Sequence, residues 1–414
     1  MDDWSCVSFI DARSRRLGRA MKLGIFVLLC WTCVTRMCSG GDVTASTNLA
    51  LGLFQQLSAD TSENALFSPF GISTLLAILS AATKGDTGKE IESAFGSDAA
   101  TVKRDIESAF KEICAGDSTS GRKPSMSLGN LLVVKKGLKS KLLPQFLKFL
   151  GGGGPFLTLV DELDDNLASR SNKWVSTQTR GEITKILDGD GTQDDAKMFL
   201  VNAIHFKGDW KEKFEKRLGY NGTFKNYDGS DTPIMFMFKR RHFEYALDAT
   251  LKTHVISLPY RDVKARFILL VPLKRAGAKT LASLLTAPEW KRILGTLRNT
   301  SVALSMPKFD VSKKYNLMKP LEYLGIKKIF SDKADLSGMI GTGDLFVSAI
   351  EQVSKLRVDE EGSEADSATL LRVSGKAAEE GESVVVDHPF IFAVTAGRQD
   401  DILFMGQVNK LPIT

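Results

Sequence analysis

The chain has 414 residues, of which 43% are hydrophobic and 25% are charged, a composition typical of a globular protein. Its formal net charge is +6, but residues 1–40 hold six basic and only three acidic residues, so the rest of the chain carries +3. A charge this small does not indicate a nucleic-acid-binding protein.

Residues 21–40 have the pattern of a secretory signal peptide. Lys22 precedes an apolar run over 23–34, and small residues follow over 38–40. The run is too short to cross a bilayer as a helix. We therefore predict a signal peptide over 21–40 and a secreted, extracellular protein. Residues 1–20 are then an upstream extension, explained by a mis-assigned start codon or by a long charged leader.

The cysteines and two sequence motifs fit a secreted chain. Removal of the leader leaves Cys114 as the only cysteine, so no internal disulfide is expected and the fold must depend on its core. The tripeptides NGT at Asn221 and NTS at Asn299 are N-glycosylation sequons, although such tripeptides are common by chance.

Helical patterns dominate the first half of the remaining chain. The helix over 87–96 is predicted to open with a capping box from Thr87 to Glu90 and to end at Gly96. Apolar spacing predicts helices over 44–58, 68–83, 87–96 and 167–181, and a helix pair over 281–297.

Strand patterns become more frequent in the second half. No Pro- or Ser-rich linker divides residues 41–414, so a single α+β domain with large sheets is predicted. The predicted strands cover 127–136, 156–163, 196–206, 254–260, 265–272, 301–311, 345–350 and 384–394.

Catalytic and metal-binding motifs are not indicated. The four histidines, His205, His242, His254 and His388, have no metal-ligand spacing among them. The segment 188–196 resembles a calcium loop only in its first acids, and a polar turn explains it better. No serine hydrolase motif is present.

The segment 360–382, EEGSEADSATLLRVSGKAAEEGE, separates two of the predicted strands. It is polar enough to form an exposed loop, and loops of this length are usually functional or disordered. Its first part alternates with period two, so it could also enter a sheet as a strand; a solvated acidic linker is the alternative. The small uncharged face holds Ser363, Ala365, Ser367 and Thr369, and the acidic face holds Glu364 and Asp366.

Seven segments resemble, in order, the signature segments of the serpins, a family of serine protease inhibitors. Together they span nearly all of residues 41–414. The resemblance implies an α+β fold with three β-sheets, about nine helices and a reactive centre loop over 360–382. The segments are NALFSPFGIS (64–73), NAIHFKGDWKEKF (202–214), SLPY (257–260), SMPKFDV (305–311), LGIKKIFSDKADLSGM (324–339), VDEEGSEADSAT (358–369) and DHPFIF with ILFMGQV (387–408).

The resemblance also implies a mechanism. In inhibitory serpins a protease attacks the loop and forms an acyl-enzyme, and the cleaved loop then inserts into the main sheet and distorts the protease. Family spacing from Glu360 places the reactive bond between Lys376 and Ala377, with Arg372 as the alternative bait. Lysine there suits trypsin-like proteases, whose specificity pocket holds an aspartate. The matching hinge residues are Glu360, Gly362, Ser363, Ala365, Ser367 and Thr369.

A second group of residues matches the region where the main sheet opens in serpins. Lys308 and Glu360 are expected to form an exposed ion pair. Two positions depart from the family: Gly71 stands where serine is frequent, and Gln352 stands where many members have histidine. Both departures are expected to change the barrier to opening. The matching residues are Ser68, Asn202, Trp210, Lys308 and Gln352.

The predicted function is inhibition, not catalysis. The chain is expected to form covalent complexes with trypsin-like serine proteases, to act as a monomer without a cofactor, and to have neither nucleic-acid nor membrane partners. A non-inhibitory serpin acting as carrier, chaperone or storage protein is the alternative, although the small face of the hinge favours inhibition. Lys239, Arg240 and Arg241 form a basic cluster, which a solvated turn explains better than a binding site for a polyanion such as heparin.

Overall fold

The computed structural model describes residues 45–115, 125–151, 154–156, 158–187, 198–261, 264–341, 345–360, 381–397 and 400–411. Residues 44–414 form one compact unit. The predictions for the leader, for the acidic turn at 188–196 and for loop residues 361–380 lie outside the described residues. Among the described residues, no helix combines the length and apolar character needed to span a bilayer.

Helix boundaries follow ordinary capping rules. Helix α2 begins at Pro69, where the missing N–H is tolerated, and the Ser68 hydroxyl accepts a hydrogen bond from the N–H of Gly71 at 3.0 Å. Helix α3 ends at Gly96, whose φ of 69° favours glycine. The helices in the described ranges are α1 (Ala45–Leu57), α2 (Pro69–Ala82), α3 (Gly85–Phe95), α4 (Ala99–Ala115), α5 (Pro144–Leu150), α6 (Leu167–Gln178), α7 (Gly277–Leu284), α8 (Ala287–Thr296) and α9 (Met318–Tyr323).

The predicted capping box at the start of α3 is wrong. The helix begins at Gly85, so Thr87 already lies inside it. Both side chains serve tertiary contacts instead: the Thr87 hydroxyl accepts from the N–H of Asp335 at 3.0 Å, and Glu90 accepts from the N–H groups of Lys327 and Lys328 at 2.7 Å each.

Fourteen strands occur in the described residues, and five of them form one mixed sheet. Its order is β10-β11-β4-β2-β3, with β11 parallel to β4 and antiparallel to β10. Helix α6 packs on one face of this sheet. The five strands are β2 (Ser125–Val134), β3 (Thr158–Glu162), β4 (Met198–Lys207), β10 (Phe309–Asn316) and β11 (Ala349–Val358).

The other nine strands form a second hydrogen-bonded network. Its order is β1-β14-β13-β8-β7-β6-β9-β12, and β5 pairs with β6. Because the 18-residue β6 pairs with β7 at one end and with β5 at the other, two of the three expected sheets are continuous here. The strands are β1 (Ala65–Phe67), β5 (Tyr220–Lys225), β6 (Asp231–Asp248), β7 (Thr253–Pro259), β8 (Ala265–Pro272), β9 (Arg298–Pro307), β12 (Glu382–Val385), β13 (Phe390–Ala396) and β14 (Asp401–Val408).

The predicted α+β fold class is confirmed, with shifts in several strand boundaries. The strand expected over 345–350 begins only at Ala349 and continues to Val358. The stretch 384–394 contributes to two strands, because the chain leaves β12 after Val385 and enters β13 only after Pro389, which has no N–H to donate to a ladder. Helix α2 lies at the centre of the core, with twelve of its fourteen residues buried.

Candidate functional site

The main feature of the candidate site is the boundary between β4 and β11 in the five-stranded sheet. These neighbouring strands are parallel, with Ala349 opposite Phe199 and Leu356 opposite Phe206. The chain that leaves β11 at Val358 could turn back at this edge and run antiparallel to both strands. One parallel pairing would then be replaced by two antiparallel pairings, which are slightly more stable per residue.

The described chain stops at Glu360 and resumes at Gly381, on different sheets. Glu360 follows β11 in the five-stranded sheet, whereas β12 pairs in parallel with β9 in the nine-stranded network. Close packing surrounds the second end, because a Cβ at position 381 would lie 2.8 Å from the carbonyl oxygen of Ser301. The predicted reactive bond and most of the predicted hinge therefore belong to the segment that links the two sheets.

A buried polar network crosses the β4–β11 boundary. The amide of Gln352 on β11 donates to Asn202 Oδ1 on β4 at 3.0 Å and to the carbonyl of Ser68 at 2.9 Å. Its oxygen accepts from the N–H of Ser68 at 2.7 Å. Asn202 in turn donates to Asn130 Oδ1 on β2 at 2.9 Å, and the Ser68 hydroxyl donates to the carbonyl of Leu403 at 2.6 Å. The network thus ties the start of α2 to four strands of two sheets.

Every amide in this network is fully buried and hydrogen-bonded. Asn130, Asn202 and Gln352 are each 0% exposed. Asn130 completes its bonding by donating to the carbonyl of Pro155 at 2.8 Å. A satisfied buried network specifies one arrangement, whereas each buried polar group left unpaired costs about 1–3 kcal/mol. A strand entering between β4 and β11 must break the contact between Gln352 and Asn202.

The structure explains the two departures from the family pattern together. A Cβ built on Gly71 would lie 2.1 Å from Asn202 Oδ1 and 2.8 Å from Gln352 Nε2. The hydrogen bond between Asn202 and Gln352 therefore occupies the space that a serine at position 71 would need. Gly71 and Gln352 therefore form a matched pair. Unlike the histidine that many serpins have at position 352, glutamine does not change its charge with pH.

The main chain that leaves β11 is held by hydrogen bonds from two aromatic residues, Trp210 and Phe214. The indole N–H of Trp210 donates to the carbonyl of Asp359 at 2.8 Å, and Trp210 stacks on Tyr260 at 4.8 Å between ring centroids. The N–H of Phe214 donates to the carbonyl of Glu360 at 2.9 Å. The structure therefore fixes the main chain up to the first hinge residue.

The expected ion pair between Lys308 and Glu360 forms, but the expectation that it is exposed was wrong. The Glu360 side chain is only 6% exposed, and that of Lys308 is 37% exposed. The carboxylate is buried because the main chain around Glu360 is drawn in by Trp210 and Phe214. Removal of the lysine would leave a buried charge unpaired, which is more costly than the loss of a surface pair.

A strap over the opposite face of the sheet was missed by the sequence analysis. Residues 182–187 follow α6, and Ile183, Ile186 and Leu187 pack in one cluster with apolar residues of both β4 and β11. Glu182 accepts a hydrogen bond from Lys355 Nζ on β11 at 3.0 Å, and its pKa is lowered by that bond. The strap crosses the β4–β11 boundary and must move if the strands separate. The apolar residues of 182–187 follow neither a helical nor a strand period, so the strap could not be recognised from the sequence.

The four histidines do not form a metal site. His205 lies buried on β4, and its burial lowers its pKa. His388 contacts Asp387 and the carbonyl of Pro272, and His254 contacts the hydroxyl of Tyr245 at 3.0 Å. Within the described ranges, no three His, Cys, Asp or Glu side chains are grouped to bind a metal ion.

The basic cluster lies in the middle of strand β6, so the solvated turn considered for it is wrong. Glu212 forms ion pairs with two of its three members: Lys239 Nζ lies 3.6 Å away, and Arg241 is also in contact. Glu212 therefore neutralises part of the positive charge of the cluster Lys239–Arg241. The two sequon asparagines, Asn221 on β5 and Asn299 on β9, are both exposed.

Comparisons with known proteins agree with this architecture. The family model described as Serpin (serine protease inhibitor) matches residues 44–411. The human leukocyte elastase inhibitor is 32% identical over 379 residues, covering 89% of this chain and 98% of the relative. Iripin-1 of Ixodes ricinus is 30% identical over 370 residues, covering 89% and 94%. A crystal structure of native protease nexin-1 with heparin has a TM-score of 0.77 at 23% identity, covering 89% and 98%.

Proposed function

The chain belongs to the serpin family, and from that premise we propose that it is a secreted inhibitor that traps trypsin-like serine proteases. The protease cleaves after Lys376, and the segment 361–376 enters the five-stranded sheet as a new strand between β4 and β11. The insertion displaces the acylated protease before the ester is hydrolysed. The chain itself is a suicide substrate and not an enzyme.

The observation that carries the proposal is the parallel pairing of β4 with β11 directly before the predicted loop. Both strands stay hydrogen-bonded along eight residue pairs, so the space for a sixth strand is closed in the intact chain. As an inserted strand, the loop would give each of its backbone groups a partner on β4 or β11. The intact protein is therefore held in a metastable state by the barrier to opening, to which the network at Gln352 and the strap at 182–187 contribute.

Trypsin-like specificity depends on Lys376. A lysine side chain pairs with the aspartate at the base of a trypsin-like specificity pocket. The leukocyte elastase inhibitor is named for elastase and not for trypsin, so we assign the target from the bait residue and not from the family. Secretion rests on the pattern of residues 21–40, and the exposure of Asn221 and Asn299 is compatible with glycosylation in the secretory pathway.

Replacing Lys376 by alanine should lower the second-order rate of trypsin inhibition at least about 100-fold, because a buried charge-assisted pair is lost, and each 1.4 kcal/mol is tenfold in rate. Arg372→Ala is the matched control and should inhibit trypsin at the wild-type rate. The measurement is the rate of trypsin inactivation together with denaturing electrophoresis for a stable complex. If Arg372→Ala is the variant that loses inhibition, the reactive bond lies four residues earlier.

The same gel separates inhibition from the second candidate, a non-inhibitory carrier, chaperone or storage serpin. A trapped protease stays covalently bound and migrates near the summed masses, whereas a non-inhibitory chain is only cleaved. Polyanion acceleration is a weaker proposal at Lys239–Arg241, because Glu212 neutralises part of that charge. The test is the inhibition rate with and without heparin. A change of less than threefold would show that the cluster Lys239–Arg241 is not a polyanion site.

A further inference from the structure

One of the two sequon asparagines lies beside the point where the reactive centre loop rejoins the fold. Strand β12 runs parallel to β9, with Glu382 opposite Val302. One residue earlier, Gly381 lies against Ser301, because a Cβ built on Gly381 would lie 3.2 Å from the Cβ of Ser301. Asn299 is two residues before Ser301 on β9, so its side chain points to the same face of the strand. Asn299 therefore adjoins the C-terminal end of the loop.

The surroundings of Asn299 leave room for a bulky group. Its side chain is exposed, and its neighbour across the strand pair is Glu244 on β6, whose side chain is 56% exposed. Strand β12 pairs with β9 only from Val302 onward, so among the described residues no strand covers the edge of β9 beside Asn299. A glycan attached there would project into solvent and would not displace packed residues.

The length of the chain limits how far the predicted reactive bond can be from this asparagine. Four residues separate Ala377 from Gly381, and even a fully extended chain of that length spans at most about 14 Å. With a strand spacing of about 5 Å and two residues of β9, the bond between Lys376 and Ala377 lies within about 28 Å of Asn299. A trypsin-sized domain of about 220 residues has a radius of gyration of about 17 Å, so a protease bound at this bond is large enough to reach the surroundings of Asn299.

We propose that an N-linked glycan on Asn299 regulates the inhibitor by slowing the docking of the protease. The inference rests on the proposed function, because it takes the bond between Lys376 and Ala377 as the reactive bond. N-linked glycans are bulky and hydrated, so a glycan at this position excludes part of the approach to the loop. It does not touch the boundary between β4 and β11, where the loop inserts. The glycan therefore lowers the rate of association and leaves the stoichiometry of inhibition unchanged.

The other sequon provides an internal control. Asn221 on β5 is also exposed, and it pairs with Met235 on β6, whereas Asn299 pairs with Glu244 on the same strand. Nine residues of β6 separate these two partners, which corresponds to about 30 Å along the strand. The same sugar at Asn221 thus lies far from the end of the loop at Gly381, and its removal should have little effect on docking.

The test uses the full chain secreted from a eukaryotic cell line, with the intact mass measured before and after enzymatic deglycosylation to establish which asparagine is modified. The rate measured is the consumption of intact chain by trypsin, counting cleaved and complexed product together. We expect Asn299→Gln to be consumed at least about threefold faster than the wild type, within the range by which association rates vary among variants of one interface. Asn221→Gln should stay within about 1.5-fold of the wild type.

Enzymatic trimming separates the sugar from the amino-acid change. Wild-type protein trimmed under native conditions to one sugar per site should react as fast as Asn299→Gln, and trimming of Asn299→Gln should add nothing. An unmodified Asn299 in the secreted chain, or equal rates for glycosylated and trimmed protein, would overturn the inference. Because the rate counts all consumed chain, it does not depend on trapping. Faster cleavage after trimming without any stable complex would refute the proposed function and leave the role of the glycan intact.

Discussion

Replacing Gly71 by serine should destabilise the native protein by about 2–5 kcal/mol, because the new side chain cannot coexist with the hydrogen bond between Asn202 and Gln352. The added Cβ would lie 2.1 Å from Asn202 Oδ1, far inside van der Waals contact. Both amides are fully buried, so their displacement leaves polar groups without partners in the core. The thermal midpoint should fall by roughly 4–20 °C, given about 2–4 °C per kcal/mol in a large domain.

Two further variants make this prediction specific. Gly295→Ser adds the same side chain to a glycine of α8 that has open space around its Cβ position, and it should change stability by less than about 0.5 kcal/mol. Serine and histidine are the residues that many serpins have at positions 71 and 352. Adding Gln352→His to Gly71→Ser should therefore recover about 1–3 kcal/mol of coupling energy. A Gly71→Ser variant as stable as the wild type would show that the glycine and the glutamine are not matched.

The second large effect concerns the hinge. Ser363→Arg should turn the inhibitor into a substrate of trypsin. On insertion, the small face of the hinge must pack beside core-facing residues of β4 and β11, such as Phe206 and Leu356, which are 1% exposed. An arginine there must bury an unpaired charge, with an effective penalty of several kcal/mol. Each 1.4 kcal/mol added to the insertion barrier slows insertion about tenfold. The acyl-enzyme is then hydrolysed before the loop has inserted, and the protease is released.

Asp366→Arg is the matched control, three residues further along on the acidic face. On that face the end of β11 has the exposed Arg357, so the side chain should stay in solvent after insertion. We expect Asp366→Arg to remain an inhibitor, with a modest rise in the stoichiometry of inhibition caused by repulsion from Arg357 and Lys355. The stoichiometry and the amount of gel-stable complex should be measured for both variants. Equal loss in both, or greater loss in Asp366→Arg, would contradict the two-faced hinge.

Much of the fold was predictable because its signals are local. The buried helix α2 was visible as a continuous apolar run with a Ser-Pro start, and its bounds agree within one residue. The long strand β6 was missed, because its basic residues Lys239–Arg241 interrupt the apolar pattern and a pair to Glu212 cannot be seen in sequence. Helix α4 was missed because its mean hydropathy is close to neutral.

The site was predictable in its members but not in its geometry. Ser68, Asn202 and Gln352 were identified by resemblance, and the structure brings them into hydrogen-bond contact. That Gly71 and Gln352 depend on each other could not be inferred, because the dependence arises from a contact between residues 281 positions apart in the chain. For the same reason the burial of Glu360 was unexpected: it follows from the approach of Trp210 and Phe214, far away in sequence.

Thermal unfolding of the chain after a single cut at the bond between Lys376 and Ala377 shows whether the loop inserts. If the cleaved segment enters between β4 and β11, it gains a full set of strand hydrogen bonds and releases the metastable state. The thermal midpoint should then rise by more than about 10 °C, which corresponds to several kcal/mol in a domain of this size. A midpoint that is unchanged or lower after the cut would contradict insertion, and with it the proposal that this chain traps proteases.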